Sequence, residues 1–72
     1  MKTYRRIEVR QGYAQVTEVD EAGNYKTHAV WPGGIITSYY KTTLEAMGWR
    51  SLRSFLANRT GFVLVEQKAA FF

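Results

Sequence analysis

The chain contains no cysteine, a single proline and a single histidine in 72 residues. Without cysteine it has neither a disulfide nor a thiolate zinc site, so the staples that commonly support very small domains are missing. Any extra buried area would have to come from self-association. Long hydrophobic runs are also lacking. No stretch approaches the roughly 20 apolar residues needed to cross a bilayer, and the opening Met1 to Arg6 has no apolar signal core behind it. No membrane partner is expected, and a cytoplasmic chain of microbial or viral type fits best. Asn58-Arg59-Thr60 matches a glycosylation sequon, but without a secretory signal the match reads as chance. No internal repeat, low-complexity tract or linker interrupts the chain.

The apolar content is 46% and the aromatic content 15%, too rich for a disordered chain, because that much apolar surface can offset the entropy of ordering. The length allows one core, so residues 1–72 read as a single domain. Net charge is +4, and it is unevenly spread. Residues 1–36 carry five Lys or Arg against four acids, whereas residues 37–72 carry five against two. The second half therefore holds most of the excess, which suits either nucleic acid or an acidic protein surface.

Alternation over Tyr4–Arg10 predicts a strand with Ile7 and Val9 on one side and Tyr4, Arg6, Glu8 and Arg10 on the other. A second strand is expected over Tyr13–Val19, a β-branched and aromatic run. Asp20 to Asn24 supplies turn residues, with Gly23 free to adopt positive φ, and Tyr25–Trp31 then returns as the partner strand of a hairpin. Pro32-Gly33-Gly34 breaks the ladder. Ile35–Thr37 is at most a short further strand. Thr42-Thr43-Leu44-Glu45 fits a capping box, and Leu44, Met47, Leu52, Phe55 and Leu56 recur at helical spacing up to Gly61, which predicts one kinked helix from about Thr42 to about Thr60. Gly48 leaves two shorter helices as the alternative. Phe62–Val65 reads as a strand buried on both faces inside the sheet. The elements thus run β-β-β-α-β, an α+β domain with one helix packed on one face of a small, mostly antiparallel sheet.

Chemistry is poorly marked. His28 has no nucleophile or second ligand placed by any motif and reads as a strand-surface residue. Asp20 and Glu21 are neighbours in a turn, whereas acid and base carboxylates must oppose each other across a substrate. Gly33 and Gly34 precede no phosphate-loop signature. An enzyme would need Ser38, Tyr39, Tyr40 or His28 to be organised by folding alone. No catalytic, metal or cofactor site is expected. Trp31 and Trp49 are assigned to the core.

Binding is better supported. Tyr4, Arg6 and Arg10 form the expected outward face of the first strand, where arginine forks pair with carboxylate or phosphate and a tyrosine offers a platform. Arg50 and Arg53, three apart, are expected on one helix face. Phe71 and Phe72 end the chain with two rings that would serve as a self-interface in a homodimer. The leading expectation is a small non-catalytic module that docks on a larger protein, an inhibitor or adaptor of phage or mobile-element type. The alternative is a basic nucleic-acid-binding domain using the sheet face and helix arginines. Three strands followed by a helix resemble, in element order, plant AP2 domains and the integrase arm-binding domains, which read DNA with a sheet.

Overall fold

The computed structural model describes residues 1–66. Its elements are β1 (Thr3–Arg10), β2 (Tyr13–Asp20), β3 (Asn24–Trp31), β4 (Ile35–Thr43), the helix α1 (Leu52–Asn58) and β5 (Val63–Glu66). The strands form one five-stranded sheet in the order β4-β3-β2-β1-β5, with every neighbouring pair antiparallel. The protein is therefore an α+β chain dominated by its sheet. The order of elements is β-β-β-β-α-β rather than the expected β-β-β-α-β, so the likeness to plant AP2 domains and integrase arm-binding domains does not survive even at the level of element order.

The turn between β2 and β3 forms where Gly23 predicts it. Gly23 has φ 88°, a left-handed conformation that only glycine takes without strain, and its N–H donates to the Asp20 carbonyl at 2.9 Å. The Asp20 carboxylate accepts from the Asn24 backbone N–H at 3.0 Å and again from its side-chain amide. This side-chain closure is why the hairpin turns so sharply. Burial acts to raise the Asp20 carboxyl, but hydrogen bonds from the Asn24 side chain and backbone and from Ala22, with the charge of Lys26, hold it below its ordinary value.

Paired residues in a sheet share a face and successive residues alternate. Tyr4, Val19 and Tyr25 thus lie in one row of the inner face, and there the core forms. Val19, Leu44 and Phe55 are its buried centre, with Tyr4, Trp49, Leu52 and Phe62 packed around them. Phe55 is the contribution of α1, its ring meeting Tyr25 edge-on at 5.8 Å and Trp49 edge-on at 5.3 Å. Trp49 is half-buried against the core; Trp31, assigned to the core from sequence, is 39% exposed at the far end of β3. Its indole N–H donates to the Thr37 hydroxyl instead.

Three expectations fail for identifiable reasons. The helix starts at Leu52, ten residues later than predicted, because Thr43 caps only an isolated turn: its hydroxyl accepts from the Ala46 N–H, and Gly48, at φ 87°, ends that turn. Residues 35–43 instead extend the sheet as β4, with an irregularity opposite His28 where Ser38 sits at φ 59°. Such a β-bulge fits one extra residue into a strand. Finally, among the described residues β5 is an edge strand paired only with β1, and all four of its residues are exposed. It does not run inside the sheet.

Candidate functional site

On β1 the alternation is as read, but the side that turns inward is the opposite one. Tyr4 packs on the core and Arg6 is half-buried beneath the segment after α1, while Ile7 is 58% and Val9 87% exposed. The physical reason is that Tyr4 and the stem of Arg6 have the larger area to bury. The Arg6 guanidinium lies 5.2 Å from the Phe62 ring centre, donates to Glu8 at 3.0 Å and points a second nitrogen at the Thr60 carbonyl at 3.5 Å. Here the chain runs so close that a Cβ on Gly61 would meet the Arg6 side chain at 3.1 Å. Arg6 ties the sheet to the loop entering β5. Arg10 is exposed and pairs with the same Glu8 at 3.1 Å. One carboxylate therefore serves both arginines.

The expected binding residues are not brought together. Tyr4 is core, Arg6 and Arg10 are joined through Glu8, and Arg50 precedes the Ser51 cap, so it does not share a helix face with Arg53. Arg50 and Arg53 are both exposed. Phe71 and Phe72 lie outside the described residues. His28 stacks on Tyr39 at 6.3 Å, and its Nδ1 is buried without a hydrogen-bond partner. Among the described residues no three His, Cys, Asp or Glu side chains gather as a metal site, and no helix is long and apolar enough to cross a membrane.

A different surface collects the features that recognition uses. Phe55 and its neighbours occupy the end of the inner face around Tyr4, Val19 and Tyr25. The other end stays open as a groove of about 450 Å³, lined by Tyr13, Gln15, Thr27, His28, Ala29, Trp31 and Ser38. Tyr13 and Trp31 form its aromatic wall, their rings 4.9 Å apart and tilted by 33°. Its floor is polar. Gln15 donates to the Thr27 hydroxyl, which also lies 3.3 Å from that of buried Thr17. Beside the groove runs the free edge of β4. Every residue from Trp31 to Lys41 is exposed, including Ile35, Ile36, Tyr39 and Tyr40, and no Asp, Glu, Lys or Arg occurs from Ala29 through Tyr40.

That charge-free run is the signal by which sequence reasoning could have found this surface. Edge strands are ordinarily blunted with lysine or proline; here Pro32 is confined to the turn and β4 carries no lysine before Lys41. No protein-family model, curated protein or solved structure matches this chain.

Proposed function

We propose that this chain is a non-catalytic protein-binding module, an inhibitor or adaptor, that takes an extended segment of a larger protein against the free edge of β4. In this reading α1, which supplies Phe55 to the core, serves as a brace, leaving the β3–β4 end of the sheet as the working part. The observation that carries it is the fully exposed, charge-free hairpin from Trp31 to Tyr40. Unpaired backbone groups along an edge strand supply affinity by strand addition, while pockets for alternate side chains supply selectivity. The Tyr13–Trp31 groove opens beside that edge, on the face that every second residue of an added strand would reach. The irregularity at Ser38 interrupts the ladder, so the docked segment is short and the aromatic groove contributes a large share of the binding.

Selection from a displayed library of short peptides tests this directly. Enriched peptides should be extended and apolar, and Trp31→Ala should weaken them by at least about tenfold, since truncating a buried aromatic anchor commonly costs about 2 kcal/mol. Failure to enrich any peptide, or binding indifferent to Trp31→Ala in a chain with unchanged circular dichroism, would overturn the reading.

Nucleic acid is the competing partner, favoured by the +4 charge and by Lys26 lying opposite Lys41 across the β3–β4 ladder. Against it, Arg6 and Arg10 are already engaged by Glu8. Fluorescence anisotropy with labelled single-stranded and duplex probes separates the two readings. Binding that falls steeply between about 50 and 200 mM salt would replace the protein reading with this one.

A further inference from the structure

The face of the sheet opposite Phe55 is uncovered by any helix or strand among the described residues. Strand register places Ile7, Val9, Val16, Val30, Ile36 and Val63 there. A solvated face of an antiparallel sheet is ordinarily polar. This one is charged only toward one end, where Arg5, Glu18, Lys26 and Lys41 form a cross-strand row and Arg5 donates to Glu18 at 2.8 Å. The two rows beyond it, Ile7 with Val16 and His28, and Val9 with Ala14 and Val30, carry no acid, lysine or arginine. Exposure is 58% at Ile7, 87% at Val9, 60% at Ile36 and 62% at Val63. On the inner side only Val19, Ala29, Leu44 and Phe55 are buried hydrophobics among the described residues, a small core for a chain without staples.

We infer that this face is closed in solution by the same face of a second copy of the chain, forming a two-fold dimer whose sheets pack against each other. The area is of the right size. Strands about 4.8 Å apart and residues about 3.3 Å apart give four strands of eight or nine residues and one of four a flat extent of roughly 600 Å², and side-chain relief brings it near the roughly 800 Å² per partner of a standard interface. The charges are also placed to suit a self-complementary contact. A two-fold axis lying between the sheets and crossing the strands stacks the Ile7 row of one copy on the Val9 row of the other. It carries the two charged rows to opposite rims, the apolar centre and polar margin that specific interfaces have. The dimer uses a surface other than the β4 edge and stands whether or not that edge takes a partner.

Light scattering and sedimentation of the full chain at about 100 µM, a concentration at which a specific homodimer of this area is populated, read the outcome. The wild-type mass should be twice the chain mass of 8.3 kDa, and Val9→Lys should halve it. Because Val9 is 87% exposed in the single chain, a lysine there leaves the fold intact, which circular dichroism checks; Ile7→Lys should act in the same direction. Removing residues 69–72 should leave the doubled mass in place. A monomeric wild type, or a dimer untouched by Val9→Lys, would overturn the inference. So would a mass halved by the deletion, which would put the contact at Phe71 and Phe72.

Discussion

Phe55 meets Tyr25, Trp49 and Phe62 with its ring, the last at 5.4 Å, and the Arg59 guanidinium lies 6.0 Å from its centre. No other side chain of α1 is buried. Phe55→Ala should therefore cost about 3 to 5 kcal/mol, most of the stability of a chain this short, and the urea midpoint reads it. Asp20 makes a second prediction, through its titration. Its carboxyl is held below the ordinary 3.8 when folded, so at low pH the unfolded chain binds more protons than the folded one. The contribution is present above the unfolded value and is lost as pH falls through the folded value. Asp20→Asn should accordingly show a smaller loss of urea midpoint than wild type between about pH 6 and pH 2. Arg6 teaches a different lesson about single residues. An arginine in an alternating strand reads as outward from sequence, because the pattern gives two faces without saying which is buried. The contacts that draw Arg6 inward, with Phe62 and Thr60, come from residues more than fifty positions away.

At the scale of elements, α1 is seven residues long with no acid in its first turn, and Arg53 in that turn opposes the helix dipole. Its start depends on Ser51, whose hydroxyl accepts from the Ser54 N–H at 3.1 Å. Ser51→Ala should cost about 1 kcal/mol, measured by urea denaturation, with the lost helix signal appearing before the sheet unfolds. The strands β1, β2 and β3 and the β2–β3 hairpin were legible in the sequence because alternation and the turn at Gly23 agree there. Disagreement marks the places that were not legible. Thr43 and the Leu44–Met47 spacing suit either a capped helix or a single turn, and only the left-handed Gly48 decides between them. In β4 the run Ile-Ile-Thr-Ser-Tyr-Tyr lacks alternation altogether, since the extra residue at Ser38 breaks the period.

For the molecule as a whole, strand order was beyond the sequence, because nothing local says that β5 returns beside β1 rather than β4. That return decides which strand keeps a free edge of nine residues and which ends in four. The candidate surface follows from it. Tyr13, Trp31 and Ser38 belong to three strands, and only the register of β2, β3 and β4 makes them walls of one groove. The result is a slab of 38 × 32 × 19 Å, broad in the sheet and thin across it, so much of its surface is sheet face and edge. Its strands are also matched in length: β1, β2 and β3 each have eight residues and β4 has nine. The ninth is stored at Ser38, as an insertion that the sheet has absorbed. Deleting it would leave the other side chains of β4 on the faces they now occupy. In β2, where there is no spare residue, the same deletion would turn half the strand over.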